Sequence, residues 1–516
     1  MYSKVYSIGI IGVEGVPILV EADVSDGLPG FSMVGYLSSE VREAQDRVRT
    51  ALKNSGFRLS ARKITINLSP ADIRKEGTGF DLPIAIAVLA ASGMVNMSAL
   101  EECVISGELG LDGRIKPVRG ALSITAAAKN AGKRRCFFPL ENVREALIIE
   151  GMEIIGVGNL RDLTDILNFP EKQKPYPPSD TNRFLEKTKA FDVDFSEVGG
   201  QFFLRRATEI AVAGMHNILY IGPAGTGKTM IAKRIPTIMP SLSTEEMIEI
   251  SKIYSVCGLL SLEEPFVAHR PFRSPHHTIT SQALAGGGRI PKPGEISLAS
   301  GGVLFLDELP EFQKDTIEIL RQPLEEGNIM VSRIHGSYVF PANFLLAAAM
   351  NPCPCGHYPD RNRCRCSDQQ IRKYLGRISK PLLDRIDICA ESGPITYEEL
   401  QQKTGGEASD TIRQRVDRAR LIQRERFTGS GIFFNGDMKR AQLEKFCILE
   451  KRERDFLKRI YENLGISARG YEKILKISRT IADLEGSEKI KKNHLAEAAG
   501  LRSLEGKYWG GIYGQS

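Results

Sequence analysis

One run of eight residues, Gly222-Pro223-Ala224-Gly225-Thr226-Gly227-Lys228-Thr229, limits what this chain can fold into more than any other. It has the spacing of a phosphate-binding loop: Gly, four residues, Gly, Lys, then Ser or Thr. Glycines let the backbone turn sharply, so that successive N–H groups face an anion. Asn217 to Ile221 reads as a short buried strand entering the loop, and Thr229 to Ile238 as the helix leaving it. The helix N-terminus adds about half a positive charge. In such a loop Lys228 reaches the β and γ phosphates of a nucleotide, and the Thr229 hydroxyl ligates Mg²⁺. Further on, Val303 to Leu306 are four apolar residues that read as a buried parallel strand, followed by two acids. Beside a phosphate loop, Asp307 would hold the Mg²⁺ shell and Glu308 would orient and activate water.

The remaining chain has room for about three domains in its 516 residues. Its 42% hydrophobic and 26% charged content is that of a soluble globular protein. The net charge of +6 is compatible with nucleic acid without requiring it. No basic-plus-apolar signal opens the sequence, and the most apolar run, Leu82 to Val95, is shorter than the roughly 18–20 residues of a membrane span. The cysteines argue the same way: apart from one cluster the nine thiols are dispersed, which does not suit a secreted disulfide scaffold. We therefore expect a cytoplasmic protein with reduced thiols and no membrane partner.

Residues 1–168 alternate strands and helices in an α+β pattern. Glu76 to Pro83 and Gly107 to Ala128 resemble the Lon-protease-type domain. That peptidase places a nucleophilic Ser near Gly79–Phe80 and its Lys partner near Leu122–Ser123, and both are missing here. Without nucleophile and base the domain is expected to be non-catalytic. Residues 169–190 carry Pro170, Pro175, Pro177 and Pro178 among polar residues, as a semi-rigid exposed linker would. Residues 191–395 hold the phosphate loop and the acidic strand, and residues 396–505 read as mostly helical and highly charged. Residues 506–516 are Gly-rich and read as a flexible tail.

Between the loop and the acidic strand lies a long insertion containing Arg270 to Thr278, Gly286 to Arg289 and Pro291 to Glu295. Its Gly and Pro density predicts a loop, and its basic residues make it either a solvated loop or one that projects toward a ligand. Arg273, His276, His277 and Arg289 are its candidate DNA contacts. Two strands, Ile329 to Ile334 and Tyr338 to Leu346, would form a hairpin with Arg333 and His335 near its tip, which suits phosphate contact as well as an ordinary edge. Cys353-Pro354-Cys355 and Cys364-Arg365-Cys366 follow. Four close thiols suit a tetrathiolate zinc site, although Cys-x-Cys is a tighter bite than the usual Cys-x-x-Cys; reduced cysteines in a tight basic loop are the alternative.

Taken with Leu28 to Phe31, Gly79 to Pro83, Gly294 to Leu298, Met350 to Gly356 and Leu382 to Asp387, these motifs make nearly the whole chain resemble the ComM (YifB) family of magnesium-chelatase-like AAA+ ATPases. The resemblance implies a multidomain chain: a Lon-like α+β domain, an α/β phosphate-loop AAA+ core with a parallel sheet, and a C-terminal helical lid. It implies a homo-hexamer using ATP and Mg²⁺ at subunit interfaces, acting on single-stranded or branched DNA by unwinding or branch migration during natural transformation, with recombination proteins as partners. It gives Asn351 the γ-phosphate and its attacking water, Arg385 the role of a finger reaching the neighbouring subunit's nucleotide, with Arg377 as second choice, and Arg469 that of a phosphate sensor in cis, with Arg479 weaker. A chelatase-type ATPase subunit driving a protein partner is the alternative function.

Overall fold

The computed structural model describes residues 1–172, 175–177, 191–333, 336–393, 406–464 and 466–513. In the first domain, alternation of apolar and polar residues builds β1 (Tyr2–Ile11), β2 (Glu14–Ser25), β3 (Gly30–Val34) and β4 (Lys63–Ser69). They join β5 (Cys103–Ile105), β8 (Arg135–Pro139) and β9 (Glu153–Val157) in one seven-stranded mixed sheet of order β3-β4-β2-β1-β5-β8-β9. A two-stranded ribbon, β6 (Glu108–Leu109) and β7 (Ile115–Lys116), fills the expected hairpin. The helix Asp81–Ala91 is apolar on every side and is buried along its whole length, as such a helix must be. Its first residue, Asp81, is neutralised by a bidentate pair with Arg47 at 2.7 and 2.8 Å.

The second domain is built on five parallel strands in the order β11 (Phe272–Arg273), β14 (Val303–Leu306), β17 (Leu345–Met350), β10 (Ile218–Ile221), β18 (Ile388–Glu391). Strands β10, β14 and β17 are wholly buried, which explains their unbroken apolar sequences. The small ladders β12 (Gly286–Gly287) with β13 (Lys292–Pro293), and β15 (Asn328–Arg333) with β16 (Gly336–Pro341), decorate this sheet. The lid follows as helices, including Ser409–Arg426 and Ala468–Leu484.

Three sequence expectations are corrected. The insertion is not wholly a projecting loop, because Phe272–Arg273 enters the central sheet as its edge strand β11. Arg270 anchors it by donating to Pro240 O at 2.6 Å and Gly301 O at 2.8 Å. The stretch Lys314 to Glu325, which reads in the sequence as one helix, is broken into Lys314–Glu318, a 3₁₀ turn and Pro323–Glu326, since Pro323 lacks an N–H and restrains the residue before it. The flexible tail is instead the helix Ser503–Tyr513, with Tyr508 and Trp509 buried against the core of the second domain. Trp509 Nε1 donates to Leu375 O at 3.2 Å. Residues 514–516 lie outside the described residues, as do 173–174 and 178–190 of the expected linker. The linker's start is tied down: the Tyr176 N–H donates to Ile154 O at 3.0 Å.

The first two domains also touch directly. Leu122, Ile148 and Ile149 pack with Met247 and Phe266. Glu145 is buried at this seam, where its carboxylate accepts from the Leu122 N–H at 3.0 Å and from the Ser255 hydroxyl. Burial pushes its carboxyl above the ordinary range, against those hydrogen bonds.

Trp509 is the chain's single tryptophan and is 1% exposed. Its native fluorescence is expected to be blue-shifted and protected from acrylamide, moving to the red on unfolding. Trp509→Ala should cost about 3–5 kcal/mol, read as a lower denaturant midpoint by circular dichroism. A native spectrum already like that of free tryptophan would contradict the docked helix.

Candidate functional site

Strands β10, β14 and β17 run parallel and in register, with Ile221 opposite Met350 and Leu306 opposite Ala348. Their C-terminal ends therefore deliver Gly222, Asp307 and Asn351 to one edge, where ligands bind in open α/β sheets. Gly222 has to be glycine: a Cβ there would sit 1.9 Å from Ser392 Oγ and 2.6 Å from Ser392 O. Gly225 and Gly227 have φ of +77° and +84°, and a Cβ at either would meet nothing within 4 Å, so the loop lies open on the side an anion would enter. The helix Lys228–Ile238 starts directly behind it.

The residues expected to hold nucleotide and Mg²⁺ fit them. Lys228 is 8% exposed, and its ammonium donates to Gly222 O and Pro223 O, each at 2.7 Å, and to Asn351 Oδ1 at 3.4 Å. Burial pushes its pKa down, while Asp307 and Glu308 push it back up. Carbonyl oxygens thus stand where phosphate oxygens would bring full negative charge. The Thr229 hydroxyl donates to Asp307 Oδ2 at 2.6 Å, placing two hard oxygen ligands side by side, as Mg²⁺ requires. Asp307 Oδ1 accepts the Glu308 N–H at 2.9 Å. Glu308 has a left-handed backbone, φ +53°, directly past the end of β14. Pro223 and Ala224 form the rising side of the loop, and Thr226 Oγ1 lies 2.7 Å from Ser392 Oγ. Ser392, just past β18, was not singled out from sequence; its partnership with residue 226 has no local signature.

The structure sorts the basic candidates unevenly. Arg273 is not available for DNA, since Glu295 binds it bidentately at 2.6 and 2.7 Å. The rings of His276 and His277 lie tilted at 35° to each other with centroids 4.0 Å apart, and His277 Nδ1 lies 3.6 Å from Glu308 Oε2. Arg289 is exposed and donates to Ser39 Oγ of the first domain at 3.2 Å. Arg333 is exposed at the end of β15, bonded only locally to Ser332 O among the contacts described for it, and His335 lies outside the described residues. Arg385 is folded inward, paired with Glu325 of its own chain and donating to Pro381 O, so a role at a neighbour's nucleotide requires that pair to open. Arg377 pairs with Glu311 at 2.8 Å. Arg469 is exposed at its helix start, 3.4 Å from Asp384. Arg479 is not a sensor in this arrangement: it is buried, with Asp483 and the carbonyls of Ser487 and Glu488 taking its donors.

In the first domain Leu122 is buried at the seam with the second domain. The four sulfurs of Cys353, Cys355, Cys364 and Cys366 lie within 4.8 Å of one another.

Lys228→Ala is expected to abolish nucleotide binding and turnover. Glu308→Gln should retain nucleotide but lose about 10²–10⁴-fold in hydrolysis, the usual worth of a positioned base. Turnover assays with a fluorescent nucleotide titration separate the two; near wild-type turnover in Glu308→Gln would remove that residue from the chemistry.

Sequence comparisons fit this geometry. The family model described as "Magnesium chelatase, subunit ChlI" matches residues 194–400, "Subunit ChlI of Mg-chelatase" matches 20–142, and the C-terminal ChlI model matches 406–502. The chain is 43% identical to the competence protein ComM of Haemophilus influenzae, over 97% of each chain. It is 42% identical to YifB of Escherichia coli, over 98% of this chain and 97% of that one. Lon protease 2 of Bacillus subtilis is 29% identical over 29% of this chain and 28% of its own length. No described helix is long and apolar enough to cross a membrane. With a Lon-like domain ahead of a phosphate-loop core and helical lid, the chain belongs to the ComM/YifB family of magnesium-chelatase-like AAA+ ATPases.

Proposed function

We propose that this protein is a motor that assembles as a homo-hexamer and couples ATP hydrolysis to translocation, unwinding or branch migration of single-stranded or branched DNA. That its Haemophilus relative is a competence protein supports placing that work in recombination of incoming DNA, with recombination proteins as partners. The observation that carries the reading is the contact between His277 and Glu308, at 3.6 Å. His277 belongs to the basic insertion, and Glu308 is the acid positioned for hydrolysis. A ligand that pulls on the insertion can thereby change where the acid points.

Bound Mg·ATP would supply the phosphoanhydride and the charge that draws its phosphates into the loop. The chain's own residues do the rest. Loop N–H groups and Lys228 bind and orient the phosphates, Thr229 and Asp307 offer the metal oxygen ligands, and Glu308 takes the proton of water held near the Asn351 amide. A finger from a neighbouring subunit, Arg385 once freed from Glu325, would stabilise the transferring charge; Arg469 would sense phosphate in cis.

The second reading, a chelatase-type ATPase subunit acting on a protein partner, is favoured by the description of the matching family. The cysteine cluster is an addition for which that activity has no use.

Branched or single-stranded DNA is expected to raise ATP turnover, and raising salt should weaken DNA binding steeply, because phosphate contacts release counterions. His277→Ala should narrow the ratio of DNA-stimulated to basal turnover. If DNA changes neither turnover nor assembly while chelatase subunits stimulate the enzyme, the second reading holds.

A further inference from the structure

The loop that follows β17 folds back so that four thiols meet at one point. Cys353 Sγ lies 3.4 Å from Cys355 Sγ and 3.7 Å from Cys364 Sγ, and Cys355 Sγ lies 3.6 Å from Cys364 Sγ. All four sulfurs, Cys366 included, fall within 4.8 Å of each other. A disulfide would need about 2.05 Å, so these are four separate thiols. A zinc ion with Zn–S bonds of about 2.3 Å sets its four sulfurs on a tetrahedron with edges of about 3.8 Å. The three spacings among Cys353, Cys355 and Cys364, 3.4, 3.7 and 3.6 Å, lie close to that edge.

Backbone donors point the same way. The Tyr358 N–H donates to Cys353 Sγ at 3.4 Å, and the N–H groups of His357 and Arg365 are directed at Cys355. A neutral thiol is a weak acceptor, whereas a metal-bound thiolate uses such donors to spread its charge. Cys353 and Cys364 are buried while Cys355 is exposed, which leaves one edge open for a metal to enter.

We propose that Cys353, Cys355, Cys364 and Cys366 bind one structural Zn²⁺, and that this ion holds the 353–366 loop against the phosphate-binding loop. Cys353 is two residues beyond Asn351. The turn at Gly356, with φ +82°, brings a Cβ position there to 3.9 Å from Ala224 N and from Pro223 Cα. The zinc loop thus braces the outer side of the nucleotide loop and the strand end that carries Asn351. Zinc binding does not depend on the motor reading; its effect on nucleotide affinity rests only on the nucleotide site.

Elemental analysis of the full-length protein, purified without chelators, should find about one zinc per chain. Removing it with a chelator under native conditions should expose four more thiols to a disulfide reagent, and added Zn²⁺ should protect them again. Cys364→Ser should lower zinc content about tenfold or more; should that variant fail to fold, the strip-and-restore experiment on the wild type decides alone. Stripped protein should bind a fluorescent ATP analogue several-fold more weakly, and recover with Zn²⁺. Metal-free protein as purified, iron in place of zinc, or thiols that react equally with and without Zn²⁺ would each overturn the site. Zinc bound with nucleotide affinity unchanged on its removal would overturn the bracing role.

Discussion

Parallel alignment of three buried strands is the constraint on which the rest of this structure depends. Strands β10, β14 and β17 each lack a polar residue until they end, and they end side by side. Residues more than a hundred positions apart in sequence are thereby set within hydrogen-bonding reach, as Lys228 and Asn351 are at 3.4 Å. An ammonium buried in that position is costly unless oxygen atoms surround it. The carbonyls of Gly222 and Pro223 supply two of them, each 2.7 Å from the Lys228 ammonium.

The sequence was most legible where chemistry is local. The phosphate loop could be read because each residue type answers to the backbone or to the anion beside it, and Asp307 and Glu308 because an apolar run stops at them. Function-bearing charges were harder. Arg270, Arg273, Arg385 and Arg479 look alike in a sequence as basic residues in loops or on helices. In the fold their meaning is set by partners far away or around a turn: Glu295 closes Arg273, Glu325 closes Arg385, and carbonyls close Arg270 and Arg479. His277 gained interest in the opposite way, since only tertiary structure brings it to Glu308. The C-terminal stretch misled because Gly506, Gly510 and Gly511 disfavour an isolated helix, while burial of Tyr508 and Trp509 supplies what local propensity does not.

The first domain is the part of the chain that resembles a Lon protease in sequence, 29% identical over 29% of the chain. Its helix Ala121–Asn130 presents Leu122 to the ATPase domain. Glu145 turns its carboxylate into the same seam, where backbone and hydroxyl donors from both sides meet it. The seam is thus held by apolar packing and by hydrogen bonds from both domains. Arg289, reaching from the ATPase insertion to Ser39, adds a second point of attachment.

The docked helix Ser503–Tyr513 has a mechanical consequence. The lid leaves the ATPase sheet beyond β18 and comes back to it, with Cys389 N–H bonded to Leu501 O at 2.8 Å and Trp509 lodged beside Leu375. A flap hinged along one side could swing without disturbing its frame. A lid latched at both ends behaves more like a bowstring: displacing its middle loads the two anchor points, and through β18 that load reaches the strand next to the phosphate loop.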